Sequence, residues 1–365
     1  MRRVIGLLLL VLFHRVGCFE ISGVRIEKRS NVLRASIMTE ETYSQRIEQS
    51  LKRKYGTDEM SRVLSSWRDL VAGEKYEAVL GDHPLMKQEA RSYLPGLTVR
   101  PFWSVENLEW AKKLAEDWQI VRNEFDTIAL ADGGSSLKKR GNNVWAVAID
   151  DEASAYGQDW RTLVLMDRGR WDPINAALFP QTCRLIDNSG IPAVEAFFAA
   201  MKPKTIIKPH SDTCNFVLTS HLGLVIPGQD ESHPPCRLSV GDQTRPWREG
   251  QVSLFDTSLL HDAVNDSNQY RYILMFRVWH PDLTSNERKG LQFLFDCLEE
   301  PGLVSDQPME ILDAEARVAA QRASLDSLLP LEKEHNLTPT KEERRSRGGF
   351  ASFVDKKGKS KKKRK

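Results

Sequence analysis

The chain has 365 residues, of which 41% are hydrophobic and 28% charged, with a formal net charge of +2. These values are ordinary for a soluble globular protein, and the length suits one large domain with helical additions better than three small domains. No run of about 18 apolar residues occurs, so we expect no transmembrane span in the mature chain. Five scattered cysteines are too few for a disulfide framework, and the small net charge gives no reason to expect a nucleic-acid partner.

The first residues have the layout of a secretory signal peptide. Two arginines precede an apolar run at residues 4–13, and small residues follow at 17 and 18. We expect a signal peptide at residues 1–18, a leader or linker at 19–40, and delivery to the secretory pathway, with the ER lumen as destination. Because the residues after 18 are rich in basic side chains, a bipartite leader to a plastid stays an alternative.

Apolar residues recur at helical spacing on both sides of the middle of the chain. The pattern predicts two amphipathic helices within a helical N-terminal region at residues 41–89, and another helix around residues 108–118. Helical spacing returns in C-terminal helices at 286–335. A basic tail at 336–365 has few large apolar groups, and we expect it to be disordered.

Short β-rich segments separated by turns lie between these helical parts. Such a series is typical of a sandwich or jelly roll, so we expect a mainly β fold with flanking helices. The segments lie at residues 144–149, 162–166, 205–208, 217–225, 236–240, 251–255 and 270–279.

A histidine and a carboxylate two positions apart form the first half of a candidate metal site. On an extended strand the side chains of His210 and Asp212 leave the same face, and His261 supplies a second histidine after a later β segment. Two histidines and one carboxylate, with adjacent coordination positions left open, suit a non-haem iron(II) oxygenase. Spacing alone leaves open two ordinary histidines with Asp212 capping a turn.

Two further residues are candidates for binding a cosubstrate. Arg271 opens the β segment after His261, where its guanidinium could hold a carboxylate through two parallel hydrogen bonds. 2-Oxoglutarate has such a carboxylate. His221 lies on the segment after the first ligand pair and could donate a hydrogen bond to the same molecule, although a lone histidine is more often part of the core.

The order of the motifs resembles that of the aspartyl/asparaginyl β-hydroxylase family over residues 90–285. An ordered series of motifs is far more specific than any one of them. The matching segments are Pro95-Gly96-Leu97, Pro101-Phe102-Trp103, Pro180-Gln181-Thr182-Cys183, Pro209-His210, His221-Leu222-Gly223-Leu224-Val225-Ile226-Pro227, Trp247-Arg248-Glu249-Gly250, Phe255-Asp256-Thr257-Ser258 with His261, and Arg271 with Val278-Trp279-His280-Pro281.

This resemblance implies a dioxygenase domain at residues 90–285 with a double-stranded β-helix core of the jelly-roll or cupin type. It implies Fe(II), with 2-oxoglutarate and O2 as cosubstrates, and hydroxylation of an unactivated carbon, for which the β-carbon of Asp or Asn in a peptide or protein is one candidate. His210 and His261 would bind the metal, and Arg271 with His221 would bind 2-oxoglutarate. Asp212 completes the metal site as in bacterial relatives of the family.

Four positions depart from the family pattern. Val217 and Thr219 stand where the animal enzyme has arginines that bind the substrate carboxylate, which opens the substrate to a lipid acyl chain or a small metabolite. Ala199 replaces a serine that helps to hold 2-oxoglutarate, and Ala176 replaces the disulfide partner of Cys183. A catalytically idle jelly-roll binding protein, or an interaction protein acting through its basic tail, therefore stays an alternative.

Overall fold

The computed structural model describes residues 40–131, 146–147, 159–322 and 324–329, so the predicted signal peptide and basic tail lie outside the described residues. In this part of the chain the helices are α1 (Glu40–Tyr55), α2 (Ser61–Val71), α3 (Glu109–Glu116), α4 (Trp118–Phe125), α5 (Pro173–Leu178), α6 (Pro180–Ser189), α7 (Ser285–Glu299), α8 (Pro308–Gln321) and α9 (Leu325–Leu328). The strands are β1 (Tyr76–Val79), β2 (Lys87–Ala90), β3 (Phe102–Trp103), β4 (Ala146–Val147), β5 (Trp160–Asp167), β6 (Arg170–Trp171), β7 (Ala193–Met201), β8 (Thr205–His210), β9 (Val217–Val225), β10 (Cys236–Val240), β11 (Gln243–Pro246), β12 (Val252–Phe255), β13 (His261–Asn265) and β14 (Arg271–Trp279).

The strands from β7 to β14 pair in the order of a jelly roll. The first pairs with the last, β7 with β14, and the next pairs inward are β8 with β13, β9 with β12 and β10 with β11, all antiparallel. They form a major sheet of order β3-β12-β9-β14-β7-β5-β4 and a minor sheet of order β11-β10-β13-β8. This nested pairing is that of a double-stranded β-helix, which confirms the predicted fold class.

The two sheets face each other across an apolar interior. Phe197, Ile273 and Met275 from the major sheet join one buried cluster with Ile207 and Leu238 from the minor sheet. Since side chains alternate along a strand, residues 271, 273, 275 and 277 of β14 all point to this interior. The interior is therefore where side chains from both sheets can meet.

Helices cover the outer face of the major sheet and one end of the jelly roll. The outward-facing Leu222, Leu274 and Phe276 pack with α3 to α6, while α1, α2, α7 and α8 form a separate cluster around Phe216. The start of α7 is set by a capping box, in which Thr284 accepts a hydrogen bond from the backbone N–H of Glu287 and the Glu287 side chain accepts one in return. These layers bury the major sheet on both faces.

Strand β7 is the main element that the sequence pattern does not predict, and its burial on both faces explains why. β7 lies beside β14 at the centre of the major sheet, yet its sequence AVEAFFAAM shows no alternation and contains four alanines, which have low β propensity. By contrast, the predicted strands at 217–225 and 236–240 are confirmed at both ends. Of the predicted strand at 144–149 the structure describes only β4, and the rest lies outside the described residues.

The N-terminal region differs from a purely helical segment. It is helical as far as Val71, after which β1 and β2 form a two-stranded hairpin. Backbone hydrogen bonds join this hairpin to the chain before β13, from Glu89 to Ser258 (2.9 Å) and from Leu260 to Lys87 (2.8 Å). The hairpin therefore supports the segment that leads into His261.

Two further sequence predictions concern cysteines and membrane spans. Cys183, Cys214, Cys236 and Cys297 are buried free thiols, and the sequence analysis expected no disulfide framework. Within the described ranges Cys183 thus has no disulfide partner, in keeping with alanine at position 176. Among the described helices, none has the length and apolar character that a bilayer crossing requires.

Candidate active site

The three predicted metal ligands lie together at one end of the minor sheet. His210 ends β8, His261 begins β13, and the two residues are direct partners in the register of these strands. Asp212 follows two residues after β8, and the candidate ligand atoms of all three side chains lie within 4.8 Å of one another. Asp212 and His261 are buried, while His210 is partly open to solvent. The structure therefore brings these residues together as the sequence analysis expected.

Backbone carbonyls orient the two imidazole rings. The Nδ1 atom of His210 lies 2.8 Å from the carbonyl oxygen of Lys208, and the Nδ1 atom of His261 lies 2.9 Å from that of Leu259. A carbonyl only accepts hydrogen bonds, so Nδ1 carries the proton in each contact, and a neutral ring then has its lone pair on Nε2. Burial lowers the pKa of His261 to about 3, with the neighbouring His210 adding to the shift. Neutral imidazoles with a fixed tautomer are suited to bind a metal.

A residue that the sequence analysis missed holds Asp212. Arg277 on β14 forms a buried ion pair with Asp212, and its Nη1 also donates to the hydroxyls of Thr219 (3.1 Å) and Thr257 (3.2 Å). Burial opposes ionisation of Asp212, but the charge and hydrogen bond of Arg277 together with the neighbouring His261 and His210 outweigh it and hold the pKa of the carboxyl well below its usual range. The ligand candidate is therefore ionised before any metal arrives. Alternation along β14 could have indicated Arg277, because it shares a strand face with Arg271.

Arg271 is a buried cation without a carboxylate partner among the described residues. It is 1% exposed, and its Nε and Nη1 atoms are buried with no hydrogen-bond partner. The contacts of the guanidinium are Met201 Sδ, 3.3 Å from Nη2, and the ring of Trp247, whose centroid lies 4.4 Å away. Burial lowers its pKa to about 10, which still leaves it charged at neutral pH. An unpaired buried charge is costly, so this guanidinium suits an anionic ligand.

His221 lies beside Arg271 on the wall of the same cleft. Its Nδ1 accepts a hydrogen bond from Trp247 Nε1 (3.0 Å), while its Nε2 is buried without a partner. Burial holds the pKa of His221 well below its ordinary value, and the charge of Arg271 shifts it in the same direction. The neutral ring thus presents an N–H to the cleft. A carboxylate is the complementary group for this donor and for the N–H groups of Arg271 that have no partner.

One cleft joins these two sets of groups. His210, Asp212, His261, His221 and Arg271 all line it, with apolar walls from Trp160, Ile207, Leu238, Phe255, Ile273 and Met275. The metal candidates come from the minor sheet and the segment after β8, whereas Arg271 and His221 come from the major sheet. The donor set of the chain therefore fits a metal and a dianionic chelating ligand side by side.

Of the four positions that depart from the family pattern, two bear on the cleft. Thr219 lines it but accepts a hydrogen bond from Arg277, and Ala199 is fully buried in the inner cluster, where it offers no hydroxyl. Val217 instead packs in the separate cluster at the end of the jelly roll. Among the described residues that line the cleft, Arg271 is the only arginine or lysine.

We expect the metal-free protein to lose stability as the pH falls below about 6.5, in part because of His221. The unfolded chain binds a proton at this histidine near pH 6.5, whereas the folded chain does not, so stability is present above that pH and is lost below it. Each such histidine lowers the free energy of unfolding by up to about 1.4 kcal/mol for each unit by which the pH falls. Urea unfolding between about pH 7.5 and 5 should give a shallower decline for His221→Gln than for the wild type. Equal slopes would contradict the neutral, buried state of His221.

The chain matches proteins of one family. Residues 115–281 match the family model described as "Aspartyl/asparaginyl beta-hydroxylase". The human aspartyl/asparaginyl beta-hydroxylase is 30% identical over 203 residues, which are 54% of this chain and 25% of the human protein. Aspartate beta-hydroxylase domain-containing protein 2 of Xenopus tropicalis is 29% identical over 225 residues, 59% of this chain and 57% of that protein.

A bacterial relative matches over a similar region. Ornithine lipid ester-linked acyl 2-hydroxylase of Rhizobium tropici is 24% identical over 176 residues, 48% of this chain and 58% of that protein. The chain thus spans less than two thirds of the length of each of these three relatives. The family match lies within the predicted domain at residues 90–285 and contains His210, His221, His261 and Arg271. Residues 115–281 of this chain are therefore similar to the aspartyl/asparaginyl β-hydroxylase family.

Proposed function

We propose that this chain is an iron(II)- and 2-oxoglutarate-dependent dioxygenase that hydroxylates an unactivated carbon. The observation that carries this proposal is the set of three buried nitrogen atoms without partners, two on Arg271 and one on His221, in the same cleft as a group of two histidines and a carboxylate. An idle jelly-roll protein has no need for an unpaired buried guanidinium, whose cost is offset only when an anion binds.

Each residue has a role that follows from its contacts. His210, Asp212 and His261 hold the iron(II), with Arg277 keeping Asp212 ionised and oriented. Arg271 binds the distal carboxylate of 2-oxoglutarate and His221 donates to the same molecule. When bound, iron(II) and 2-oxoglutarate would supply the chemistry that activates O2 for hydroxylation of the substrate, with succinate and CO2 as coproducts. The apolar walls restrict the access of water to the site.

Two substrate classes have support. The match to the human hydroxylase supports the β-carbon of Asp or Asn in a peptide or protein. A lipid acyl chain or an uncharged small metabolite is supported by the name of the Rhizobium tropici relative and by the cleft itself. Its lining has no arginine or lysine among the described residues other than Arg271, and Arg277 nearby is already paired with Asp212. A substrate carboxylate thus has no evident partner in the described part of the cleft.

The purified protein is expected to bind one iron(II) and to convert 2-oxoglutarate slowly to succinate without added substrate. In Arg271→Met the KM for 2-oxoglutarate should rise by about 10- to 100-fold, the loss of a charge-assisted bidentate contact, while iron affinity stays as in the wild type. The matched control is Arg237→Met, which removes an exposed guanidinium from the minor sheet. To separate the two substrate classes, the protein is incubated with peptides or with lipid extracts. The true substrate should increase the release of succinate and give a product heavier by one oxygen atom.

Two outcomes would contradict parts of this assignment. Iron binding without any 2-oxoglutarate turnover would favour the idle binding protein. A normal KM in Arg271→Met would show that another residue binds the cosubstrate. Both measurements use the full chain, and neither requires that the substrate is known.

We also propose delivery to the secretory pathway, supported by the apolar run at residues 4–13 behind two arginines. The alternative is a plastid reached by a bipartite leader. Microscopy of the full chain fused at its C-terminus to a fluorescent protein distinguishes ER from plastid, and a uniform cytosolic signal would contradict both.

A further inference from the structure

Trp247 contacts both residues that are candidates for binding 2-oxoglutarate. Its Nε1 donates a hydrogen bond to Nδ1 of His221 (3.0 Å), and the guanidinium of Arg271 stacks over its ring at 4.4 Å from the centroid. Trp247 is itself 4% exposed and lines the cleft. One side chain thus contacts both residues that are candidates for binding the cosubstrate.

The hydrogen bond from Trp247 determines which nitrogen of His221 carries the proton. An indole N–H can only donate, so Nδ1 of His221 must accept and cannot carry a proton in this contact. The neutral ring then has its proton on Nε2, the buried atom that has no protein partner. Without the indole N–H, the other tautomer would turn a lone pair toward the cleft and repel a carboxylate.

The indole ring also orients Arg271. A guanidinium stacked over an aromatic face is attracted to it and has its plane fixed, so its unused N–H groups point in defined directions. In Arg271 these groups are on Nε and Nη1, the two atoms without a partner. Because no described carboxylate holds this guanidinium, its stacking on Trp247 and its contact with Met201 set the directions of these N–H groups.

The backbone fixes the position of Trp247. Its N–H donates to the carbonyl of Cys236 (3.2 Å), and the N–H of Gly250 donates to the carbonyl of Gly223 (2.9 Å). Gly223 permits this close approach, because a Cβ at that position would lie 2.1 Å from the carbonyl oxygen of Arg248. A rigid segment therefore presents the indole to both partners.

We propose that Trp247 is a positioning residue for the cosubstrate, which acts by setting the tautomer of His221 and the orientation of Arg271. This inference rests on the proposed function, since it assigns these two donors to 2-oxoglutarate. In this role Trp247 acts through His221 and Arg271, the two side chains that its indole contacts. Its effect should therefore be on cosubstrate affinity, with iron affinity unchanged.

The first test measures the tautomer in the full-length, metal-free protein. Two-bond ¹H–¹⁵N correlation spectra are expected to show His221 protonated on Nε2 in the wild type, and a mixture of tautomers in Trp247→Phe, which retains a ring but lacks the N–H. The control Trp67→Phe loses a comparable buried hydrogen bond, from Nε1 to the carbonyl of Ser44 (3.2 Å), in the distant helical cluster. It should leave His221 unchanged. A wild-type proton on Nδ1, or an unchanged tautomer in Trp247→Phe, would overturn the proposal.

The second test measures affinity for 2-oxoglutarate by calorimetry on the iron-loaded protein without oxygen. Trp247→Phe should raise the Kd by about 2- to 10-fold, the loss expected for one hydrogen bond. Trp247→Leu, which also loses the stacking on Arg271, should raise it further, whereas Trp67→Phe should match the wild type. Unchanged Kd values in both Trp247 variants would reject a positioning role. If the wild type itself does not bind 2-oxoglutarate, the proposed function fails, and the tautomer still tests the link between Trp247 and His221.

Discussion

Replacement of His261 by alanine is expected to abolish iron binding and 2-oxoglutarate turnover together. The side chain is one of two imidazoles in the group, and its removal leaves a single imidazole, on His210, beside the carboxylate of Asp212. His210→Ala should have the same effect, because the two residues are direct partners across β8 and β13. Calorimetric titration with iron(II) without oxygen, followed by an assay for succinate, measures both losses.

A buried histidine elsewhere in the fold supplies the control. His280 is fully buried and bonds to the carbonyl of Thr98 (3.0 Å), well outside the cleft lining, so His280→Ala should lower stability but retain iron binding. Asp212→Gly should retain more turnover than either histidine variant, since both imidazoles of the group remain in place. Wild-type iron affinity in His210→Ala or His261→Ala would refute the metal assignment.

The second large effect concerns stability. Arg277→Met is expected to lower the free energy of unfolding of the metal-free protein by about 3–5 kcal/mol, because it removes the cation that is paired with the buried carboxylate of Asp212. Both side chains of this pair are almost inaccessible, at 3% and 4%. Two threonine hydroxyls would also lose their contact with the guanidinium. Urea unfolding at neutral pH in the presence of a chelator provides the measurement.

A double-mutant cycle separates this effect from general loss of packing. In Asp212→Ala/Arg277→Met no charge is left unpaired, so the double variant should be more stable than the sum of the single changes predicts. Arg46→Met, which breaks an exposed pair with Asp306, should cost no more than about 1 kcal/mol. Added metal should restore part of the stability of Arg277→Met, since it gives Asp212 a new partner. Strict additivity would show that Arg277 does not act through Asp212.

The local part of this site was predictable from sequence. The spacing of His210 and Asp212 follows from the two-residue period of a strand, and the strand at 217–225 combines β-branched residues with a Pro-Gly turn directly after it. The assignment of His221 and Arg271 to one molecule needed the resemblance to a family, because nothing local connects two residues on different strands. Their shared cleft is a consequence of the pairing of β9 with β14.

The parts that were not predicted depend on contacts between distant segments. Arg277 on the major sheet pairs with Asp212, which follows a strand of the minor sheet. The two residues are too far apart in sequence for a local pattern to connect them. β7 resembles neither a helix nor an alternating strand because helices bury one of its faces and the opposite sheet buries the other. Trp247 appeared only as part of a matching motif, and its indole contacts become evident once Gly223 brings the segment close to β9.

The division of the site between two sheets has a consequence for partly unfolded states. The two histidines are neighbours within the minor sheet, so they stay adjacent as long as that sheet keeps its own hydrogen bonds. Arg271 and His221 belong to the major sheet and face the metal group only while the two sheets are packed together. A loosened state with intact sheets would then retain weak affinity for metal after it had lost affinity for 2-oxoglutarate. If the chain binds 2-oxoglutarate as proposed, this binding is thus a more stringent indicator of complete tertiary structure than metal binding.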